Sequence, residues 1–499
     1  MGHVRQGNER CRPGEANGDS SGKYEGLGVT VGTVAKPNVV MITTDHQRSD
    51  TLFMRQDGME VTPHLNRLAA DSCVFSRAYC STPLCVPART ALATGKYPAR
   101  TGVLVNDWSG ETASDHRSMH EYLGEAGYRL GHFGVQHIRL RPELRARARF
   151  DAYMDLADYK RIAGERGAEA ASSPSPESKR EVMEMRNGAY ERRSYSSALP
   201  SVWSGPLEKH QDVFFTRQAE AFLRKSASEE RPFALFLNIW APHPPLAVPE
   251  PYASRFRPSA IELPSNIGVP AAGEPRNRRL GVPAQLAEGI TEEQWRRTWA
   301  AHLGLTQLAD ACVGRIIRTL QEIGAYENTI ILFMSDHGDH LGQHAMYQKM
   351  EMYEQAVRVP MLIKTPGARL RWYDGVMSHL DVLPTLLDLL GLKAADQLDG
   401  LSLASALGGG PAPDDDRAVF SQYSGNAGIG DIRRAVITKR YKYIYDPHAD
   451  DELYDLQEDL LEMNNLAGEP RLAAVRARLR GALFRWARDC GDELLGDEA

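Results

Sequence analysis

Acidic and imidazole side chains follow four apolar, strand-like runs of this sequence. Asp45 ends the first run, His137 and His243 follow the second and third, and Asp336 with His337 ends the fourth. Ligands of open α/β sheets bind beyond the carboxyl ends of the strands, so this pattern favours one site to which all of these side chains contribute. Two carboxylates together with one imidazole are suitable ligands for a hard divalent cation, Ca²⁺ or Mg²⁺. The residues therefore predict a metal site at one edge of a sheet.

A cysteine lies between the first two of these runs, in a setting that suits a reactive group. Cys85 is followed by Pro87 and Arg89. Because proline suits the first turn of a helix, Cys85 is predicted to lie at a helix N-terminus. Backbone amides exposed there favour an anion and are expected to lower the pKa of the thiol. Considered alone, Cys85 is either a reactive thiol or an ordinary buried cysteine.

The chain around these residues alternates apolar strands with helices. The predicted strands are 37–44, 128–134, 233–240, 329–335 and 359–364, and the predicted helices are 62–70, 89–94 and 302–323. The last helix keeps its apolar residues at a period of about 3.6 and ends before Gly324, where a helix C-terminal glycine belongs. Strands alternating with helices predict an α/β fold with a large, mostly parallel sheet that helices cover on both faces.

Changes in composition along the chain predict three parts. The first 36 residues contain eight glycines and no apolar period, which is typical of a disordered tail. The last hundred contain a loop rich in Gly, Pro and Asp, strand-like residues and an amphipathic helix. The predicted parts are a disordered tail (1–36), a catalytic α/β domain (37–395) with long insertions near 141–232 and 250–300, and a small C-terminal α+β subdomain (396–499). Insertions of this kind tend to form lids and specificity loops.

The overall composition excludes several classes of protein. A chain of 499 residues with 42% hydrophobic residues has enough apolar side chains for a globular fold. The net charge of −6 argues against a nucleic-acid partner. No apolar run approaches the roughly 18 residues of a membrane span. The N-terminal residues lack the apolar core of a secretory signal, so a cytoplasmic location is expected.

The segment from Cys85 to Arg89, followed by TGKYP, resembles the C-x-P-x-R signature of the formylglycine-dependent sulfatases. Further blocks similar to that family occur in the expected order. They are PNVVMITTDHQRSDTL (37–52), TPHLNRLA (62–69), APHPP (241–245), SDHGDHLGQHAMYQKMEMYEQAVRVPMLIKTPG (335–367) and ELYDLQEDLLEMNNLA (452–467). The similarity extends from about residue 37 to the end. It implies an alkaline-phosphatase-like fold with a large α/β domain and a smaller C-terminal one.

The resemblance also implies how the protein works. Cys85 would be oxidised to formylglycine by a separate maturation enzyme that reads the signature. Arg89 would hold the hydrated aldehyde, and His137 would deprotonate its second hydroxyl. His243 and Lys349 would contact the sulfate, and one or both would assist departure of the leaving group. One hydroxyl of the hydrate would attack, and the second would allow sulfate to be expelled, so the cysteine is needed as a precursor and not as a thiol.

For the metal, the resemblance implies four ligand residues. Asp45, Asp336, His337 and the oxidised Cys85 would hold Ca²⁺, with Mg²⁺ as the alternative. A sulfate ester is an anion, so attack on it needs positive charge around the transferred group. The expected activity is hydrolysis of a sulfate ester, on a sulfated carbohydrate or an aryl sulfate.

Two positions depart from the family pattern. His46 stands where many members have a second aspartate, and it is either a replacement ligand or, as we favour, a neighbour of the site. Val135 stands where the family has a lysine that would bridge formylglycine and sulfate. Loss of that cation weakens anion binding unless another group, such as His132 or Arg139, reaches the site.

Because Val135 replaces the family lysine, a second hypothesis stays open. In it the protein is a phosphonate monoester or phosphodiester hydrolase, which has the same fold. A catalytically silent binding protein is a third hypothesis. The intact signature from Cys85 to Arg89 and the retained Asp336 and His337 argue against it. A zinc phosphatase of the same superfamily would not need the cysteine signature and ranks last.

Overall fold

The computed structural model describes residues 36–107, 110, 112–165, 178–414 and 416–498. The predicted disordered tail therefore lies, except for Lys36, outside the described residues, as does part of the first predicted insertion. Among the residues that are described, no helix is both long and apolar enough to cross a membrane.

The strands and helices carry the following labels in chain order. The strands are β1 (Asn38–Thr44), β2 (Arg55–Gln56), β3 (Met59–Glu60), β4 (Cys73–Tyr79), β5 (Arg129–Gly134), β6 (Ala152–Asp155), β7 (Lys179–Arg186), β8 (Ala189–Ser196), β9 (Ser201–Trp203), β10 (Phe233–Asn238), β11 (Ala247–Pro249), β12 (Thr329–Ser335), β13 (Arg358–Val359), β14 (Met361–Lys364), β15 (Trp372–Ser378), β16 (Val419–Tyr423), β17 (Arg433–Ile437), β18 (Tyr441–Tyr445) and β19 (Glu452–Asp455). The helices are α1 (Pro63–Ala70), α2 (Cys85–Thr94), α3 (Pro98–Thr101), α4 (Met119–Glu125), α5 (Leu144–Arg147), α6 (Leu156–Glu165), α7 (Gln211–Ser226), α8 (Val282–Ala287), α9 (Glu292–Glu322), α10 (Glu354–Val357), α11 (Val382–Leu389), α12 (Ala404–Leu407) and α13 (Ala473–Cys490).

A large, mostly parallel sheet forms the centre of the α/β fold, as predicted. Within the described part of the chain its strand order is β13-β4-β14-β12-β1-β10-β5-β6, and β15 also pairs with β4. The strands β12, β1, β10, β5 and β6 run parallel to one another, whereas β14 is antiparallel to β12. In register, Thr44 pairs with Ser335, Thr43 with Asn238, and Asn238 with Gly134. The carboxyl ends of four adjacent strands are therefore level, and the residues after them lie along one edge.

Helices cover both faces of this sheet because its central strands are apolar on both sides. In β1, Val39 and Met41 belong to one buried cluster, and Val40 and Ile42 belong to another. The first cluster includes side chains of α2, α4 and α11, and the second includes side chains of α1, α7 and α9. Each such buried aliphatic side chain stabilises the fold by roughly 1.5–3 kcal/mol. The two-sided burial fixes the strand ends that carry the site.

Several element bounds differ from those predicted. Helix α9 begins at Glu292, ten residues before the predicted start, because Thr291 and Gln294 form a capping box. The predicted strand 359–364 is divided between β13 and β14 at Pro360, which has no N–H for a ladder. Strand β4 was not predicted, since Ser76 and Arg77 interrupt its apolar pattern.

The C-terminal part contains a second, smaller sheet. Strands β16, β17, β18 and β19 form an antiparallel meander. The strand-like run predicted around 435–445 is a hairpin, β17–β18. Helix α13 packs on this sheet through Leu479, Leu483 and Trp486, which share a buried cluster with Tyr443. The helix ends at Cys490 and is capped by Gly491, whose φ of 73° is the left-handed conformation of a helix C-cap.

Candidate active site

Helix α2 places Cys85 at the edge of the sheet. The helix begins at Cys85, so the prediction of a helix N-terminus there is confirmed, and every residue of the helix is buried. The N–H of Val86, which has no partner within the helix, donates to Oδ1 of Asn106 at 3.0 Å. Sequence reasoning did not identify Asn106, because it lies in a loop that carries no recognisable pattern.

The Cys85 thiol lies among three charged or polar groups. Its Sγ is 2.7 Å from Lys349 Nζ, 3.3 Å from His337 Nε2 and 3.5 Å from Asp45 Oδ1. Burial, and then the negative charge of Asp45, raise the pKa of the Cys85 thiol far above its usual value. The expectation that the helix N-terminus lowers this pKa was wrong, because loss of solvent outweighs the helix amides.

Two carboxylates share one arginine beneath Cys85. Asp45 follows β1, Asp336 follows β12, and these strands are neighbours. Arg89, one helical turn after Cys85, donates from Nε to Asp336 Oδ2 at 2.9 Å and from Nη2 to Asp45 Oδ2 at 3.1 Å. Burial raises the pKa of Asp336 to about 6 despite the opposing charge of Arg89. The arginine allows two like charges to be buried side by side.

The residues in this group fit a divalent cation. One ligand atom from each of Asp45, Cys85, Asp336 and His337 lies within 4.8 Å of all the others. The Nδ1 of His337 donates to the carbonyl of Gly338 at 3.0 Å, so Nε2 keeps its lone pair and faces the carboxylates. Two carboxylates and one neutral imidazole form an oxygen-rich set, as Ca²⁺ and Mg²⁺ prefer.

His46 occupies the position where many family members have an aspartate. Its Nδ1 is 2.7 Å from Asp339 Oδ2, and its Nε2 is 2.8 Å from Lys349 Nζ. Its ring contacts those of His243 and His337, with centroids 4.5 and 4.6 Å apart. Burial and the charge of Lys349 hold the pKa of His46 well below its usual range. Both ring nitrogens of His46 therefore face protein groups.

His243 and His137 both lie near the ring of Trp240. The His243 ring is centred 4.0 Å from that of Trp240, and the His137 ring is 6.1 Å from it. The Nδ1 of His243 hydrogen-bonds to the carbonyl of Pro244. Burial lowers the pKa of both histidines well below the usual range, with Lys349 adding to the effect on His243 and Arg89 to that on His137. Both rings are consequently neutral at neutral pH.

The turn before His137 depends on a glycine and carries Val135 at the position of the family lysine. A Cβ on Gly134, whose φ is 106°, would lie 1.9 Å from the carbonyl oxygen of Asn238. Val135 is buried and donates its N–H to the same carbonyl at 3.0 Å. His132 does not replace the lysine, since its ring stacks on Tyr153 at 5.1 Å.

Arg139 lines a cleft beside His137. The volume of this cleft is about 440 Å³. Its polar lining includes Gln136, Arg139, Glu143, Arg145 and Tyr153. The cleft lies beyond the carboxyl ends of β5 and β6, which is the edge of the sheet where ligands bind in this class of fold.

All of the side chains that the resemblance assigned to a site thus lie near one another. Asp45, His337 and Lys349 contact Cys85 directly, and Arg89 joins Asp45 to Asp336. His243 is connected through the ring of His46, and His137 through Trp240. Asp339 accepts backbone N–H groups and also hydrogen-bonds to His46.

Comparisons with known proteins show the family of the chain. The sulfatase family model matches residues 37–392, and the model described as N-sulphoglucosamine sulphohydrolase, C-terminal, matches residues 342–489. The chain therefore belongs to the sulfatase family of sulfuric ester hydrolases.

Individual relatives resemble the chain over most of its length. An ulvan-active sulfatase of Formosa agariphila is 27% identical over 477 residues, which cover 92% of this chain and 82% of the relative. The phosphonate monoester hydrolase of Agrobacterium radiobacter has a TM-score of 0.72 at 24% identity, with coverage of 91% and 96%. A 2-O GAG sulfatase has a TM-score of 0.71 at 24% identity, with coverage of 92% and 93%. The fold alone does not separate these two activities.

Proposed function

We propose that this protein hydrolyses a sulfate ester of a sulfated carbohydrate or an aryl alcohol, after a separate maturation enzyme has oxidised Cys85 to formylglycine. The observation that carries the proposal is the position of Cys85 Sγ. It lies at the start of a buried helix, 2.7 Å from the Lys349 ammonium and 3.5 Å from the Asp45 carboxylate. A cysteine so placed supplies the one atom around which cation ligands and sulfate-binding groups converge.

Asp45, Asp336 and His337 would hold Ca²⁺, with Mg²⁺ as the alternative, together with the oxygen that oxidation places on residue 85. When bound, the ion supplies positive charge beside the nucleophilic oxygen and the anionic ester. Arg89 keeps the two carboxylates in place through its bonds of 2.9 and 3.1 Å. The arginine is thus a structural part of the metal site as well as a cation near residue 85.

Lys349 and His243 are proposed to bind the sulfate. Burial alone would lower the pKa of Lys349, but the acidic groups of Cys85, Asp45 and Asp336 raise it overall, and both carboxylates remain after Cys85 is oxidised. The ammonium therefore keeps its charge at neutral pH. The Nδ1 of His243 is engaged with a backbone carbonyl, which leaves Nε2 for the ester. One or both side chains would assist departure of the alcohol.

His137 is proposed to accept the proton of the second hydroxyl on residue 85. Its pKa lies well below the usual range because of burial and the charge of Arg89. A neutral imidazole has a lone pair for a proton, as a general base requires.

We place the alcohol part of the ester in the cleft beside His137. Its volume of about 440 Å³ suits a small molecule. Arginine, glutamate, glutamine and tyrosine side chains in its lining offer both donors and acceptors, as a hydroxylated sugar needs.

Val135 favours a second candidate, a phosphonate monoester or phosphodiester hydrolase. The family lysine at this position would add a cation, and its loss reduces the positive charge available to a sulfate group. The likeness to the phosphonate monoester hydrolase of Agrobacterium radiobacter is compatible with this reaction.

Matched substrates distinguish the two candidates. The matured enzyme, loaded with Ca²⁺, is assayed on 4-nitrophenyl sulfate and on a 4-nitrophenyl phosphonate monoester, which release the same phenol. We expect kcat/KM to be about tenfold or more higher for the sulfate, a difference of about 1.4 kcal/mol or more in barrier. The reverse ratio supports the second candidate. Failure of fully matured protein to cleave either ester contradicts both, and Cys85→Ala controls for contaminating hydrolases.

A further inference from the structure

Three side chains form a continuous hydrogen-bonded chain that ends at residue 85. Asp339 Oδ2 lies 2.7 Å from His46 Nδ1, His46 Nε2 lies 2.8 Å from Lys349 Nζ, and Lys349 Nζ lies 2.7 Å from Cys85 Sγ. All four groups are buried. The roles proposed above for the site leave Asp339 and His46 without a function.

The direction of these bonds follows from the chemistry of the groups. The Lys349 ammonium can only donate, so the Nε2 of His46 must accept from it; the proton of the neutral ring is then on Nδ1, which donates a hydrogen bond to Asp339 Oδ2. The Nε2 of a neutral His46 then has a lone pair, which accepts an N–H from the Lys349 ammonium. Asp339 thereby selects the one tautomer of His46 that can hold Lys349.

Asp339 also holds the backbone around Lys349. Its Oδ1 accepts the N–H groups of Gln348 and Leu341, both at 3.0 Å. Gln348 and Met350, on either side of Lys349, have φ values of 67° and 78°. Non-glycine residues in this left-handed region persist only where their surroundings hold them there. The same carboxylate thus fixes Lys349 through its side chain and through its backbone.

We propose that Asp339 and His46 are positioning residues that aim the Lys349 ammonium at residue 85 and the sulfate next to it. This inference rests on the proposed function, in which Lys349 binds the sulfate. It also gives a reason for His46: the ring spans the distance between Asp339 and Lys349.

The variant Asp339→Asn tests the tautomer directly. Because Oδ1 must stay on its two backbone N–H groups, the introduced NH₂ faces His46 Nδ1, which then has to accept. The ring proton moves to Nε2 and meets the Lys349 ammonium, so Lys349 loses its partner. We expect kcat on aryl sulfates to fall about thirtyfold, with a smaller change in KM.

The decisive measurement is whether this loss depends on Lys349. In the Lys349→Ala background, Asp339→Asn is expected to change kcat less than about twofold, because the group it positions is gone. An equal fold-loss in both backgrounds overturns the proposal.

Asp310→Asn is the matched control: Asp310 is also buried and accepts two backbone N–H groups, at 2.7 and 2.9 Å, but has no contact with the site. It is expected to lower stability and leave kcat unchanged.

A second variant protects the test against misfolding. His46→Asn removes the ring but keeps the backbone bonds of Asp339, and asparagine tolerates the φ of 65° at this position. The same dependence on Lys349 is expected, and its absence contradicts the proposal.

A crystal structure of Asp339→Asn separates this inference from the proposed function. Displacement of Lys349 Nζ from residue 85 supports the positioning role even if no sulfate ester is cleaved by any variant, a result that would reject only the function. An unmoved Lys349 rejects the positioning role.

Discussion

The Sγ of Cys85 and the Nζ of Lys349 lie 2.7 Å apart although 264 positions separate the residues in the chain. The first residue starts α2, and the second lies in the long loop after β12. Both reach the same edge of the sheet because β4, which precedes α2, and β12 are each antiparallel to β14 and therefore run in the same direction. The contact joins the side chain that is proposed to become the nucleophile to a buried cation, which suits binding of an anionic ester at residue 85.

Calcium is expected to stabilise the matured protein. The ion neutralises two buried carboxylates and is also bound by a neutral histidine. A ligand of the folded state at a hundred times its dissociation constant adds about 2.7 kcal/mol to the free energy of unfolding. Thermal unfolding with Ca²⁺ and after chelation measures the effect. Asp336→Asn should abolish most of the shift. Glu322→Gln, a surface change at an exposed ion pair with Arg224, should leave it intact. An equal shift in all three proteins would mean that Ca²⁺ binds elsewhere.

Gly134→Ala is expected to disrupt the turn that carries Val135 and His137. Its Cβ would approach the carbonyl oxygen of Asn238 to 1.9 Å, so the ends of β5 and β10 must separate. We expect a loss of about 3 kcal/mol or more in the free energy of unfolding, as for other strained backbone sites.

Gly58→Ala is the matched control for this loss. Gly58 also has a positive φ, of 74°, but nothing lies within 4 Å of an added Cβ. Gly58→Ala should lower the free energy of unfolding by about 1 kcal/mol, which is the penalty for placing an alanine in the left-handed region alone. Equal losses in urea unfolding for the two variants would contradict the close approach at Gly134.

The pH dependence of stability should contain a contribution from Asp310. Burial raises its pKa to about 7 from an ordinary value of 3.8. The folded form therefore binds more protons than the unfolded form between these values. The stability that Asp310 contributes is fully present below about pH 4 and is lost as the pH rises through about 7. Urea unfolding at pH 5 and pH 7 measures the effect. Between these pH values the free energy of unfolding should fall less in Asp310→Asn than in the unchanged protein. An identical fall would contradict the raised pKa of Asp310.

Elements with a strong local pattern could be predicted from the sequence. The β-branched runs of β1 and β12 mark their own bounds, and the parallel-sheet rule then brings Asp45 and Asp336 together. Strand β4 was missed because Ser76 and Arg77 interrupt its apolar run, although the strand pairs on both edges. Such a segment forms a strand because it pairs with neighbouring strands, and its own residue pattern does not show that pairing.

The site was less accessible to reasoning from local pattern. Lys349 could be selected only by resemblance to a family block, since its position depends on a loop with several left-handed residues. The contact of Asp339 with His46 spans 293 positions and has no sequence signal. The thiol pKa was misjudged for a related reason: the helix N-terminus is visible in the sequence, whereas the burial that opposes it is a property of the folded chain.

The central claim is that Cys85 becomes formylglycine, and the mass of one peptide tests it most directly. Protein from its native host is alkylated under denaturing conditions and digested with trypsin, which releases residues 78–89. Cys80, in the same peptide, should be alkylated and serves as an internal control. We expect residue 85 to escape alkylation and to carry the mass of formylglycine. If both cysteines are alkylated completely, also after co-expression with a formylglycine-generating enzyme, the proposed mechanism is contradicted.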